Sequence, residues 1–187
     1  MGFSLLIGVM SFPIGDAIAS QPAAAPVAAP VVPSYAVTLT AYNAVPGQTD
    51  DDPFTTASGA YSNPDIVAAR SRDLADELPF GTIIEIDGPA AAGQSSCGYG
   101  AVARHIGYRV IEDTMNQRYT DRVDVLLDQR ADVKADDGSV LNGASVMGVC
   151  KGVTVRVVGH VDMAHLPKTQ AGLAALVGKG GDIALGK

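Results

Sequence analysis

Residues 109–127 read R-V-I-E-D-T-M-N-Q-R-Y-T-D-R-V-D-V-L-L, two apolar runs joined by a polar turn, with one aspartate set in each run. The composition of 108–113 and of 122–127 predicts two β-strands. A carboxylate among Val, Ile and Leu loses hydration, which is costly unless it is paired, hydrogen-bonded or protonated. Asp113 and Asp124 therefore need either a structural partner or a chemical role. Period-2 alternation puts Val123 and Val125 on one face of the second strand and Arg122, Asp124 and Leu126 on the other. If the valine face is the core, the other face lines a groove, and a half-desolvated Asp124 there titrates above its ordinary ~3.9. Such a group stays protonated near neutral pH and can act as a general acid. Asp113, at the end of the partner strand, would then couple to it by a shared proton or by like charge. The alternative is that Arg122 neutralises Asp124 while Asp113 caps the turn through Thr114 or Asn116. From these residues alone the two readings stand level.

Outward from this stretch, further strands are predicted at 35–42, 66–69, 82–86 and 153–158, the last a β-branched run. Ser71 is placed to cap one or two helical turns that Pro79 ends. Residues 88–100 form a small-residue loop holding Cys97, and 132–147 read as polar and irregular, with a turn at D-D-G, 136–138. A short helix is expected from Thr169, ending near Gly178. Short strands at close spacing with little helix predict a mainly β fold, a small closed barrel. No internal repeat stands out, and 187 residues fit one domain.

The amino terminus reads as an export signal over 1–19. Residues 2–14 are apolar and of signal-peptide length, and Ala17-Ile18-Ala19 supplies a small-x-small cleavage pattern near Ala19, although no Lys or Arg precedes the run. The run is too short to span a bilayer as a helix, and no cysteine near the cleavage site supports a lipid anchor, so no stable membrane anchor is expected. Residues 20–34 form a Pro/Ala-rich linker, and 35–187 form the globular domain with its C-terminal extension. These features imply a periplasmic or secreted protein. Two cysteines in an exported chain read as one disulfide, Cys97 to Cys150. From Tyr35 onward 13 basic residues face 19 acidic ones, a net charge of −6, which argues against a nucleic-acid partner but not against a neutral glycan. His160-x-Asp162-x-x-His165 and the D-D-D at 50–52 match no metal signature, and there is no phosphate loop or Cys/His nucleophile pattern. Neither metal nor cofactor is expected.

T-A-Y-N at 40–43, T-A-S-G at 56–59, I-V-A-A at 66–69 leading into L-P-F-G-T at 78–82, E-D-T at 112–114 and R-V-D-V at 122–125 together span about half of the chain. In this order and spacing the sequence resembles the three-aspartate (3D) domain family. Its relatives include the catalytic domain of membrane-bound lytic murein transglycosylase A and the stationary-phase survival muralytic proteins. The resemblance implies a small six-stranded double-psi β-barrel with short helices, acting on peptidoglycan glycan strands. The family's second and third aspartates fall on Asp113 and Asp124, the third being the expected acid/base. The first normally follows the apolar run directly. Here that place is Arg70, with Asp73 three residues later, and the family's Gly-Gly-Ala turn after E-D-T is replaced by M-N-Q-R-Y.

The implied reaction is that of a lytic transglycosylase. One carboxylic acid protonates the bridging oxygen, then as carboxylate takes the proton of the N-acetylmuramic acid 6-hydroxyl, which closes a 1,6-anhydro ring without water. Asp124 is the expected acid/base and Asp113 its electrostatic and hydrogen-bonding partner. Thr56, Ser58 and Asp73 are candidate substrate contacts, and Tyr42 either meets a sugar face or packs in the core. The rival readings are a non-catalytic glycan-binding or wall-remodelling module and a glycoside hydrolase of the same fold using both aspartates. A homodimer that completes the groove is a possible arrangement, because the membrane-bound relative uses a second domain there.

Overall fold

A computed structural model describes residues 1–2, 32–49, 52–89, 97–134 and 137–179. The expected signal segment beyond Gly2, the linker as far as residue 31, and Asp50 and Asp51 lie outside the described residues. Among the described residues, no helix is long and apolar enough to cross a membrane.

The strands are β1 (Ser34–Tyr42), β2 (Val67–Arg70), β3 (Thr82–Asp87), β4 (Arg109–Thr114), β5 (Arg122–Leu126), β6 (Asp132–Lys134), β7 (Val140–Asn142) and β8 (Cys150–His160). The helices are α1 (Tyr99–Val102), α2 (Gly143–Met147) and α3 (Gln170–Lys179). Six strands close into a barrel in the order β1-β5-β2-β4-β3-β8, so the fold is mainly β with a few short helices, as expected. β1 runs parallel to β5 and β2 parallel to β4, while the other neighbours are antiparallel. Exchanging β1 with β4, β2 with β5 and β3 with β8 maps this order and these directions onto themselves. The topology thus contains a pseudo-twofold repeat that the residue types do not display.

β4 and β5 are not partners, contrary to the expectation for the opening stretch. β2 lies between them, hydrogen-bonded to both. A tight two-residue turn would have paired the two strands, whereas residues 115–121 carry the chain past β2. A second departure is a bulge in β4. Ile111 lies opposite Ala68 and Asp113 opposite Ala69, which leaves Glu112 as the extra residue.

The barrel interior is filled by Leu39, Ala68, Ile84, Ile111, Val123, Val125, Val153 and Val155. A second cluster on the other face joins Tyr42, Ile66, Ala69, Val110 and Leu126 to Leu173 of α3. The helix start is capped as expected, with Thr169 Oγ1 accepting from the Gly172 amide at 3.2 Å. Ser71, by contrast, does not cap the 3-10 turn Arg72–Leu74. It is fully buried, and its hydroxyl accepts from the Arg122 amide, tying β2 to the start of β5. The described part of 132–147 is more regular than expected: β6 and β7 pair antiparallel, and α2 follows. Asn142 caps α2 by accepting from the Ala144 amide. Cys97 and Cys150 form the expected disulfide.

Arg109 is fully buried at the start of β4. Its guanidinium donates to the carbonyls of Ile106 and Pro64, each at 2.6 Å, of Leu126 at 3.0 Å, and of His105. Burial pulls its pKa down to about 10, so it remains a cation held by carbonyl dipoles.

Candidate functional site

Strand register places Thr40, Asp124, Ala69 and Asp113 in one row across β1, β5, β2 and β4. Three causes build the row. Alternation turns Val123 and Val125 inward and Asp124 to the opposite face. The bulge at Glu112 resets the parity of β4 so that Asp113, not Glu112, faces Ala69. Ala69, carrying only a methyl group, leaves space between the carboxylates. The two aspartates sit two strand spacings apart, about 10 Å between backbones, and no hydrogen bond joins them. Their coupling is therefore by charge, and the shared proton of the sequence reading is not formed.

A cavity of about 630 Å³ opens over this row. Tyr42, Ala69, Asp113 and Asp124 line it, together with Thr114, Met115, Asn116 and Tyr119 from the end of β4 and the turn beyond it.

Asp113 is firmly held. Its Oδ1 accepts from the amides of Ala57 at 2.9 Å and Thr114 at 2.8 Å, and its Oδ2 accepts from the Tyr42 hydroxyl at 3.2 Å. Asp124 is held differently: its Oδ1 is buried without a hydrogen-bond partner. Desolvation pushes its pKa up to about 6, with the neighbouring Thr40 and Arg122 opposing and the charge of Asp113 assisting. Arg122 does not form an ion pair with it. Arg156, by contrast, pairs with Glu85 and Asp87, and His165 with Asp162. The Arg122 guanidinium instead lies 4.5 Å from the centre of the Tyr119 ring, with Arg118 4.8 Å from that same ring.

Glu112, the bulge residue, is fully buried, and neither of its carboxyl oxygens has a hydrogen-bond partner. Burial, assisted by the charge of Asp113, raises its pKa to about 7. Tyr42 is buried, with its ring in the second cluster, and acts on the site through its hydroxyl. Burial, then the charges of Asp113 and Asp124, push this phenol far above its ordinary pKa. It is thus a fixed hydrogen-bond donor to Asp113.

Thr56 and Ser58 do not border the cavity. Their hydroxyls bond each other at 2.9 Å, and the Ser58 amide donates to the Glu112 carbonyl, so this turn clamps β4 and presents the Ala57 amide to Asp113. The adjacent Thr55 and Ser62 line the cavity instead. Asp73 also lies off the cavity. Its carboxylate accepts from the Asp121 amide at 2.8 Å, steadying a residue whose φ is 48° at the entry to β5. Desolvation pushes Asp73 upward, but the Asp121 amide and the Ser71 hydroxyl outweigh it and hold the carboxyl below its usual range. Arg70, at the end of β2, is buried. It donates to the Leu78 carbonyl at 2.7 Å and stacks on Phe80, with burial lowering its pKa.

Sequence reasoning passed over Arg72, Arg118 and Tyr119, which form part of the cavity wall. The signal for two of them was present, since Arg118 and Tyr119 belong to the M-N-Q-R-Y segment, where the resemblance led to the expectation of a small-residue turn. His160 bonds the Phe80 carbonyl and His165 bonds Asp162. Among the described residues no three metal-ligating side chains converge. Compared with known proteins, the chain matches no protein-family model and no curated protein.

Proposed function

We propose that this barrel is a member of the three-aspartate domain family with double-psi topology, acting outside the cytoplasm as a lytic transglycosylase on peptidoglycan. The observation that carries this reading is Asp124: a carboxyl with one buried, unpartnered oxygen in the wall of a cleft. Its raised pKa keeps part of the population protonated near neutral pH. Protonated Asp124 donates to the bridging oxygen between N-acetylmuramic acid and N-acetylglucosamine. The resulting carboxylate then takes the proton of the 6-hydroxyl as that oxygen closes on C1. Asp113 is held in place by three donors and faces the same cleft, where it supports the developing oxocarbenium ion. Its occupied lone pairs favour a single acid/base over a hydrolase using two free carboxylates. The parallel pairs and pseudo-twofold strand order support the double-psi assignment.

Digestion of purified sacculi followed by mass analysis tests this reading. Anhydro-muropeptides are the expected product. Reducing ends would mark a hydrolase, and unchanged sacculi that retain the protein would mark a binding module. Asp124→Asn should lower product formation by roughly 100-fold or more without lowering the melting temperature. Full activity in that variant would sink the assignment.

A further inference from the structure

Beside the aspartate cavity lies a second cleft of about 270 Å³, lined by Phe54, Tyr61, Ser62, Asp128, Gln129 and Arg130 among others. The two clefts share Ser62. Phe54 and Tyr61 are 63% and 68% exposed, more than any other phenylalanine or tyrosine among the described residues. They stand on the two arms of one short turn, closed by the Thr55–Tyr61 bridge and by the Ser62 amide donating to the Phe54 carbonyl at 2.9 Å. Two exposed rings at one cleft cost free energy in water and call for an occupant.

The chemistry of the cleft narrows that occupant. Two aromatic residues share the cleft lining with Asp128, Gln129 and Arg130, a carboxylate, an amide and a guanidinium. That combination suits a pyranose ring, which presents an apolar C–H face and a rim of hydroxyl and amide groups. The turn is also rigidly joined to the row of aspartates. Between its two aromatic arms lie the Ala57 amide that bonds Asp113 and the Ser58 amide that bonds the Glu112 carbonyl.

We propose that Phe54 and Tyr61 form a sugar-stacking subsite that holds a pyranose of the glycan one or more units away from the bond over Asp124. This rests on the glycan reading above. The subsite predicts an affinity that grows with chain length.

Binding of N-acetylglucosamine oligomers to the full chain, measured calorimetrically for disaccharide, tetrasaccharide and hexasaccharide, tests it. Wild type should gain affinity with length, while Phe54→Ala/Tyr61→Ala should bind the disaccharide unchanged and lose about tenfold on the hexasaccharide. Phe54→Trp should restore the gain when introduced with wild-type Tyr61. Both side chains are exposed, so the melting temperature should stay at the wild-type value. Equal length dependence in wild type and double variant would overturn the subsite and leave the function reading standing. Failure of wild type to bind any oligomer or to sediment with sacculi would overturn both. A wild-type dimer that the double variant dissolves, with no change in glycan affinity, would reassign the patch to self-association.

Discussion

Asp124 and Asp113 are chemically identical residues separated by one alanine in the row, and their surroundings divide their roles. Asp113 accepts from two backbone amides and a phenol, whereas a buried oxygen of Asp124 makes no hydrogen bond and only the nearby Thr40 hydroxyl and Arg122 ease its charge. Protonation of Asp124 is therefore what the pH profile should report. If Asp124 is the general acid, kcat/KM for sacculi should fall above about pH 6, because its proton is lost there. Asp113→Asn removes a negative charge that raises Asp124, so this limb should move to lower pH, along with a loss of rate. An unmoved limb in Asp113→Asn would show that the two groups are not coupled. Glu112 makes a separate contribution to stability. Its pKa rises from 4.5 unfolded to about 7 folded, so between those values the folded chain keeps a proton that the unfolded chain releases. Stability should fall as pH rises through that window and level off above it. Glu112→Gln keeps the shape and removes the titration. Its melting temperature should match wild type near pH 4 and exceed it by a few degrees near pH 8. Identical pH dependence in the two proteins would contradict this.

At the level of elements, the site exists because β2 separates β4 from β5. Alternation shows which face a side chain occupies but says nothing about which strand is its neighbour, so the strands and the outward turn of Asp124 were legible while the insertion of β2 between β4 and β5 was not. The bulge was equally hidden. E-D-T offers two acids in succession, and only the register with Ala68 and Ala69 decides which one faces the cleft. Four of the five short motifs lie on β1, β2, β4 and β5, the strands whose register brings Thr40, Asp124, Ala69 and Asp113 into one row. The motifs did not reveal that Thr56, Ser58 and Asp73 shape the backbone around the site, since a side chain bound to its own loop and one bound to a ligand look alike in sequence. Arg109 is the clearest illegible feature: a strand-start cation reads as surface, yet it is fully buried and holds the Pro64 turn, the segment before β4 and the end of β5 through four carbonyls. Arg109→Met keeps the volume and leaves these acceptors without a donor. It should cost roughly 3–5 kcal/mol in urea unfolding. A loss under about 1 kcal/mol would mean that water replaces the guanidinium there.

For the whole molecule, the barrel is completed by β8, which pairs with β1 on one side and β3 on the other. Cys150 begins β8, is fully buried, and lies in register with Leu39 of β1, while Cys97 precedes α1. The disulfide closes a loop spanning 53 positions that contains β4 and β5, and so every aspartate of the row. Constraining a loop of that length in the unfolded chain contributes roughly 4 kcal/mol in the chain-entropy picture. The row itself lies on β1, β5, β2 and β4, and none of its hydrogen bonds passes through either cysteine. Stability and site geometry should therefore separate. Cys97→Ala/Cys150→Ala, or reduction of the native chain, should lower stability by about 3–4 kcal/mol in denaturant titration. At temperatures where both forms are folded, glycan affinity and the pH midpoint assigned to Asp124 should be unchanged. A shifted midpoint in the folded, reduced protein would show that the seam strand transmits strain to the row, and that the barrel depends on the disulfide for the shape of its site as well as for its stability.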